Sequence, residues 1–522
     1  MPYVIPRSGK NKQSIIDGKG EPFGVNIQAT AAGIGYLNGD GYFDVVDAMP
    51  LRIAVVRDSV ERGSVKTANT TSVGYTAVDF NTFDILTTAE KSSVKNFMGI
   101  PLDDLYPQTV VLQFTTLNVS APDEEYRELG LNLSLSPDGS ILAVTRTDAD
   151  AYSSVYLFEK VADEWTEFQY MPAPTISSAG RFGYTGLVFS EDNNTLVISA
   201  AYDNDSDNSL PNSGVVYVYS RSAGIFNVSA ELRASDKEAS ANFGSEVAMS
   251  YDANRIFIGS RSLNIKFPIQ VSQSGAVYVF EKTAGSWNET FQFFPSIDFI
   301  SAQIGNINAL SCTSDGLTFV VSSGRINYDA NNDFMSNCGA VFTCTLAGGK
   351  WTTTILRAPV EKEWHWFGYS SDISKNGDKL IVGAIGTAGS ITYGGAYYVY
   401  DNIGGTWTLN KSVINNDSEL PSHNLGSKVE FSEDATKAIV TATYVPDSEG
   451  VLQTSVGRVY IVAADNDWEE THRFDSPQVQ EYERFGNSSA LSPDGSELIV
   501  GANLYTPSNI LTETGRVLFY KL

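Results

Sequence analysis

Carboxylates at alternate positions are candidate metal ligands in this sequence. Asp203, Asp205 and Asp207 stand in one short acidic segment, and oxygen ligands at alternate positions suit a hard cation such as Ca²⁺. The segment 329–333, with the sequence DANND, repeats this arrangement further along the chain. Solvated acidic loops explain both segments equally well. We therefore expect no cofactor, with Ca²⁺ at Asp203, Asp205 and Asp207 as the alternative.

Another acidic segment, residues 38–44 with the sequence NGDGYFD, resembles a calcium loop of the form D-x-N-G-D-G-x-x-D. Tyr36 stands at the first ligand position of that pattern. A tyrosine supplies no carboxylate there, so the pattern favours a turn over a metal site.

Two tryptophans flank a histidine in the segment Trp364, His365, Trp366 and Phe367. One interpretation is that these side chains wedge between neighbouring structural units. The other is a surface on which a sugar ring or an aromatic side chain stacks. Both interpretations stay open, because the matching positions elsewhere carry residues that no packed core requires: Gly180, Arg181, Ala241, Asn242, Glu483 and Arg484.

Groups for catalysis are sparse. The only histidines are His365, His423 and His472, and none accompanies a nucleophile motif such as G-x-S-x-G. No His/Glu cluster or phosphate-binding glycine loop is present in the sequence. Paired carboxylates for glycoside chemistry stay possible among 61 acidic residues. We expect that the protein is not an enzyme.

All of these residues except Tyr36 and residues 38–44 belong to a unit that repeats along the chain. A glycine preceded by Phe, Leu or Ile recurs at intervals of 53 to 63 residues, at Gly130, Gly183, Gly244, Gly305, Gly368, Gly426 and Gly486. Each glycine is followed by a polar turn between apolar stretches, such as SPDGSILAV at 136–144, which predicts a hairpin. A third apolar strand follows, and then a fourth that opens with an aromatic residue. Each unit is predicted to be a four-stranded antiparallel meander.

Radial repetition of such sheets gives a β-propeller, which protects the sheet edges. The last unit stops after its third strand, at VLFYKL, and residues 109–119 (TVVLQFTTLNV) have the composition of the missing strand. We expect this segment to complete the last blade. The fold class predicted is all-β, with a seven-bladed propeller over residues 106–522 and a small β-rich attachment domain over residues 1–105.

The order FG, hairpin, LIVGA, loop, GGAYYVY and GGTW resembles the FG-GAP repeat of integrin-α-like propellers. The resemblance is strongest to the bacterial and viral type without a calcium loop. It covers about four fifths of the chain. It implies a propeller and says little about function, because propellers host binding and catalysis alike.

The formal charge of −26 divides into −2 for residues 1–105 and −24 for residues 106–522. An acidic propeller would be repelled by phosphate, which argues against nucleic acid as a partner. No apolar run reaches the length of a membrane span, and no ordinary secretion signal is visible. Three cysteines, Cys312, Cys338 and Cys344, lie within one repeat, where a disulfide stays open.

Long, variable loops on a rigid ring are where recognition usually occurs. In an antiparallel meander, the connection into the first strand and the loop from the second to the third strand emerge on the same face. We predict that the following residues lie on or near this face and bind a receptor or a neighbouring subunit: Trp364, Trp366, Tyr202, Asp205, Tyr328, Tyr444 and Tyr505.

These features favour a structural and host-binding, adhesin-like component of a virion, such as a phage particle. Its N-terminal domain would dock to other virion proteins, and its propeller would contact a host glycan, a host protein or another copy of the chain. An exported bacterial surface adhesin, located outside the cell or on its surface, is one alternative. A glycan-processing propeller enzyme is the other.

Overall fold

The computed structural model describes residues 117, 128–147, 153–162, 164–174, 181–205, 207–264, 273–295, 302–386, 393–415, 423–443, 456–476, 482–505 and 515–522. It also gives the backbone of several short strands outside these ranges. The chain divides into two compact units, Met1–Gln113 and Phe114–Leu522. Each unit has its own sheets.

Where the structure describes the first unit, it has six short strands in two antiparallel sheets, ordered β1-β4-β3 and β2-β5-β6. Tyr36 pairs with Asp44 where β3 and β4 run antiparallel, and residues 38–41 lie outside the described residues, so the turn interpretation stays a prediction. The strands are β1 (Gln13–Ser14), β2 (Val25–Ala29), β3 (Tyr36–Leu37), β4 (Tyr42–Asp44), β5 (Leu51–Val55) and β6 (Thr76–Val78).

The second unit is a seven-bladed β-propeller of antiparallel sheets, which confirms the predicted fold class. The first three blades each have four strands in chain order. Blade 1 comprises β7 (Leu133–Leu135), β8 (Ile141–Thr147), β9 (Ser153–Val161) and β10 (Glu164–Pro172). Blade 2 comprises β11 (Leu187–Phe189), β12 (Thr195–Ala200), β13 (Val215–Ser222) and β14 (Ile225–Leu232). Blade 3 comprises β15 (Phe243–Met249), β16 (Arg255–Ser260), β17 (Ala276–Thr283) and β18 (Ser286–Phe293).

Blades 4 to 6 repeat the same meander. Blade 4 comprises β19 (Leu310–Cys312), β20 (Thr318–Ser323), β21 (Ala340–Ala347) and β22 (Lys350–Leu356). Blade 5 comprises β23 (Phe367–Ile373), β24 (Lys379–Ala384), β25 (Ala396–Ile403) and β26 (Thr406–Ile414). Blade 6 comprises β27 (Val429–Phe431), β28 (Lys437–Ala442), β31 (Arg458–Ala463) and β32 (Glu469–Asp475). A small hairpin, β29 (Val445–Pro446) and β30 (Leu452–Gln453), and a 3₁₀ turn, Ala464–Asn466, interrupt blade 6.

Blade 7 has three strands within the described residues, β33 (Phe485–Leu491), β34 (Glu497–Ala502) and β35 (Arg516–Lys521). Leu117 lies beside it. Its amide donates a 3.4 Å hydrogen bond to the carbonyl oxygen of Val517 in β35, and its side chain is buried against Val517 and Phe519. The rest of residues 109–119 lies outside the described residues, so strand sharing along the whole segment stays a prediction.

One polar turn closes the hairpin between the first and second strands of each blade. In blade 1 the Ser136 hydroxyl donates to Asp138 at 2.7 Å and accepts from the Ile141 amide at 2.9 Å. Blade 7 repeats this with Ser492 and Asp494 at 2.6 Å. These bonds supply partners for the turn backbone, which is the role that Ser and Asp play in such turns. The S-x-D-G elements therefore serve the fold.

The repeat glycines join neighbouring blades. Gly305 has a φ of +79°, and a Cβ there would lie only 2.8 Å from the Cα of Gly259, so no larger residue fits. The carbonyl oxygens of several repeat glycines accept a side-chain hydrogen bond from the preceding blade. The pairs are Asn132 to Gly183 (3.1 Å), Thr185 to Gly244 (2.7 Å), Ser245 to Gly305 (2.6 Å), Ser370 to Gly426 (2.9 Å) and Ser488 to Gly130 (2.7 Å).

Apolar side chains of the second and third strands fill the space between blades. Val197, Ile258 and Val382, for example, are fully buried. The outer fourth strands mix half-buried and exposed residues, as a sheet with one solvated face does. Cys312, Cys338 and Cys344 are buried free thiols. In the described part of the chain, no helix is long and apolar enough to cross a membrane.

Candidate binding face and central channel

The seven first strands surround a polar channel with a cavity of about 320 Å³. Glu246 in blade 3 borders it, and its Oε2 accepts a 2.7 Å hydrogen bond from the Asn308 amide of blade 4. Burial raises the pKa of Glu246 to about 8, although hydrogen bonds from two amides oppose the shift. This carboxyl is therefore neutral at pH 7 and can donate a proton as well as accept one.

Asp372 of blade 5 also borders the channel, and its Oδ2 accepts a 2.8 Å hydrogen bond from the Phe431 amide. Burial raises its pKa to about 6. Lys428 lies in the same channel, where its Nζ contacts Glu430 at 2.8 Å and the carbonyl oxygen of Ser489 at 2.7 Å. The negative charge of Glu430 raises the pKa of both Glu246 and Asp372.

Besides the channel, one end of the propeller ring is a candidate binding region. Antiparallel pairing places the start of each first strand beside the end of the second strand, as Phe243 beside Ser260 and Phe367 beside Ala384. We call this end the loop face. It carries the connections into each first strand and the loops between second and third strands.

The tryptophans of the WHWF segment differ in environment. Trp364 is 47% exposed, whereas His365 and Phe367 are buried. The Nε2 atom of His365 lies 3.0 Å from the Tyr398 hydroxyl. Burial lowers the pKa of His365 to about 4, so it is neutral at pH 7. The wedge interpretation thus describes His365 and Phe367, and Trp364 is the member that is open to solvent.

Trp366 is half-buried and stacks with Arg325 of blade 4, whose guanidinium carbon lies 5.3 Å from the ring centroid. Its backbone φ is +57°. The residue two positions before the repeat glycine has a positive φ in six blades, in a conformation that Asn adopts readily and bulky side chains do not. The residues are Arg181, Asn242, Gln303, Trp366, Asn424 and Arg484.

The other tyrosines predicted to bind a partner differ in their surroundings. Tyr202 follows β12 and is half-buried. Tyr328 packs against Phe334, with ring centroids 5.8 Å apart. The Tyr505 ring covers Arg516, with the guanidinium carbon 3.7 Å from its centroid. Tyr444 lies outside the described residues.

The acidic loop of blade 2 uses its carboxylates internally. Asp203 and Asp205 are buried. Asp205 accepts hydrogen bonds from the Leu210 amide at 2.8 Å and the Ser209 hydroxyl at 3.0 Å, and Asp207 accepts one from the Ser209 amide at 3.0 Å. Among the residues that the structure describes, no three His, Cys, Asp or Glu side chains form a group that could hold a metal ion. The calcium alternative gains no support from this loop.

Residues 329–333 behave in the same way. The Oδ1 of Asp329 accepts hydrogen bonds from the amides of Asn331 at 2.9 Å and Asp333 at 2.8 Å. One carboxylate thus organises the turn, which is the usual role of Asp at such a position.

Arginines on the loop face are a feature that no motif in the sequence indicates. Arg181 lies over Tyr184 and Tyr202, with its guanidinium carbon 4.9 Å and 5.0 Å from their centroids. Arg261 also stacks on Tyr202, at 5.6 Å. Arg325 stacks on Trp366 in the next blade, as described above. We call Arg181, Arg261 and Arg325 the arginine arc. In the sequence, these arginines share only their positions in the repeat. Arg181 stands two residues before a repeat glycine, and Arg261 and Arg325 follow the second strand of their blades.

One segment of the propeller matches a known repeat family. Residues 226–280, which span the end of blade 2 and most of blade 3, match the family model described as the FG-GAP repeat. The chain contains an FG-GAP repeat. The Phe243–Gly244 pair at the start of blade 3 lies within the matched FG-GAP segment. In the hairpin that follows, the Ser250 hydroxyl donates a 2.6 Å hydrogen bond to Asp252. It is equivalent to the Ser136–Asp138 and Ser492–Asp494 bonds of blades 1 and 7.

No match was found among the curated proteins. Among solved structures, the chain is similar to the β-propeller domain of Cps50 (Swd1) from Myceliophteria thermophila, with 10% identity and a TM-score of 0.48. The alignment covers 78% of this chain and 99% of that domain. This likeness is too distant to support an argument about the function of the FG-GAP propeller.

Proposed function

We propose that the chain is a non-enzymatic, adhesin-like binding module that contacts its partner through the loop face. The observation that carries this proposal is the backbone of the two tryptophans. Trp364 and Trp366 have φ values of +59° and +57°, where a bulky side chain costs free energy. Trp364 also exposes 47% of its surface. Trp364 is the exposed member of this strained pair and Trp366 is half-buried beside it, an arrangement that suits a stacking contact.

The matching positions of blade 3 support this interpretation. Ser240 and Asn242 stand there, with positive φ values of 62° and 56°. The blade architecture is therefore compatible with small polar residues at both sites. Tryptophan at these positions is consistent with selection for contact with a partner.

In biological terms, we propose a structural and host-binding component of a virion. The N-terminal unit would dock to other virion proteins, and the propeller would contact a host glycan or protein. The two compact units and the acidic propeller are compatible with a displayed, soluble recognition module. Immunogold electron microscopy with an antibody to this chain tests the location. Labelled particles support the virion, whereas labelled bacterial surfaces would replace it by an exported adhesin.

Attachment itself is tested with the purified full chain and the double variant Trp364→Ser/Trp366→Asn, on the cells or particles identified in that experiment. We expect attachment to fall at least tenfold, because stacking contacts of two aromatic residues are lost. Tyr170→Asn is the matched control, since Tyr170 is also 47% exposed but lies on an outer strand. Unchanged attachment by the tryptophan variant would refute the loop face as the binding site, and turnover of a bound glycan would indicate an enzyme.

A further inference from the structure

We propose that the arginine arc binds the carboxylate groups of an acidic saccharide. This inference rests on the proposed function, because it assigns a ligand chemistry to the same loop face. The three arginines come from consecutive blades 2, 3 and 4: Arg181 precedes β11, Arg261 follows β16, and Arg325 follows β20. They place three cationic side chains at the same end of three neighbouring blades, on a chain whose formal charge is −26.

Most of the other arginines in the described ranges have acidic partners. Arg255 pairs with Glu281 at 2.7 Å, Arg458 with Asp475 at 2.5 Å, and Arg473 with Glu470 at 2.8 Å. In the described ranges, no carboxylate forms an ion pair with Arg181, Arg261 or Arg325. Arginines with no ion pair to a described residue are unexpected on so acidic a protein, where carboxylates are abundant.

Aromatic stacking explains how these arginines are held without ion pairs. Arg181 lies over Tyr184 and Tyr202, and Arg325 lies over Trp366. For Arg181 and Arg325, contact with an aromatic ring leaves N–H donors of the guanidinium available to a planar carboxylate. Arg261 is held further by hydrogen bonds to the Tyr202 hydroxyl and to Oδ1 of Asn306, the latter at 3.3 Å.

Charge favours a saccharide over an acidic protein as the ligand. A polyanionic protein would meet the negative field of the whole propeller, which acts beyond the contact itself at physiological salt. A saccharide carries isolated carboxylates on an otherwise neutral body. Its ring faces are apolar and stack on aromatic residues, and the exposed Trp364 and Tyr369 lie on this face. The arc and its neighbours therefore match both parts of an acidic sugar.

The test is binding of the full chain to a panel of oligosaccharides that each carry one carboxylate, including sialyllactose and a disaccharide with a single uronate. Lactose and the methyl ester of the uronate disaccharide serve as neutral counterparts. We expect binding of carboxylated members at least tenfold tighter than of their neutral counterparts. Arg181→Gln and Arg325→Gln should each weaken binding about tenfold, the size expected for a lost charge-assisted contact. Gln303 occupies the position equivalent to Arg181 with φ +52°, so this variant keeps the local backbone.

Arg221→Gln is the matched control. Arg221 also stacks on aromatic rings, Phe168 and Phe226, but pairs with Glu159 and lies near the opposite end of the blade. Its replacement should leave saccharide binding unchanged. Equal binding of neutral and carboxylated sugars, or binding of none, would overturn the proposal. So would binding of a polyglutamate peptide in place of the sugars.

Failure of this inference is distinguishable from failure of the proposed function. Attachment that is lost in Trp364→Ser/Trp366→Asn but kept in Arg181→Gln/Arg325→Gln overturns the carboxylate ligand and leaves the loop face as the binding site. Attachment that is kept in both double variants overturns both proposals.

Discussion

The Ser488 hydroxyl donates a 2.7 Å hydrogen bond to the carbonyl oxygen of Gly130, 358 residues earlier in the chain. The donor lies in the last blade and the acceptor stands just before the first, so this bond crosses the junction where the ring closes. A parallel bridge between Leu129 and Gly515 and the bond from Leu117 to Val517 lie at the same junction. Closure therefore depends on both ends of the propeller.

The first prediction concerns this closure. A chain that lacks residues 1–105 should stay soluble and melt cooperatively. A chain that lacks residues 1–120 should unfold at lower temperature or aggregate, because the edge of the last blade is left unpaired. Circular dichroism melts and size-exclusion chromatography measure both effects. Equal melting of the two truncated chains would contradict strand sharing.

A second prediction concerns the tryptophans of the loop face. Trp366→Asn introduces the residue that blades 3 and 6 carry at this position, Asn242 and Asn424, both with positive φ. Asn tolerates this backbone better than Trp does, so the variant should melt at the same temperature as the parent or higher. The comparison is made by calorimetry. A large loss of stability would show that Trp366 belongs to the core.

A third prediction concerns the buried ion pair of Glu483 and Arg516, whose side chains are 0% and 7% exposed. Glu483→Ala leaves the Arg516 charge unpaired and should cost about 3 to 5 kcal/mol of unfolding free energy. The double variant Glu483→Ala/Arg516→Ala should recover part of this loss, because blades 3 and 4 carry alanine at both matching positions: Ala241 with Ala276, and Ala302 with Ala340.

Urea unfolding measures the two variants. If the double variant were no more stable than Glu483→Ala, the loss would come from the empty space and not from the unpaired charge. Arg516 also contacts Ser476 at 2.8 Å and Tyr505, so full recovery is not expected.

A fourth prediction follows from the channel carboxyl of Glu246, whose pKa is raised from 4.5 to about 8. Below pH 4.5 this group is protonated in both the folded and the unfolded chain. As the pH rises towards 8, the unfolded chain releases the proton first, so the stability contributed by the raised pKa is lost. Glu246→Gln removes this effect.

We therefore expect Glu246→Gln to gain melting temperature relative to the parent between pH 5 and pH 8.5. Glu363→Gln, at an exposed glutamate, is the control and should show no such trend. A constant difference between Glu246→Gln and the parent across this range would contradict the raised pKa.

Much of the fold is determined by local sequence. The repeat glycines, the S-x-D-G turns and the alternation of apolar residues fix hairpins within ten residues, so the seven meanders are visible without the structure. Trp364 and Trp366 stand out for the same reason, because three unusual residues are adjacent in the chain. Whether each tryptophan faces the core or the solvent depends on the blade beside it, and only the tertiary structure decided that.

The arginine arc and the channel depend on contacts between blades. Arg261 meets Tyr202 across 59 residues, and Arg325 meets Trp366 in the next blade, at spacings that change with every loop length. The pKa of Glu246 depends on burial by strands from other blades. The repeating unit could be predicted from local sequence, because hairpins and turns are short-range structures. The contacts between side chains of different blades required the folded structure, because packing seven sheets around one axis joins residues that no local pattern relates.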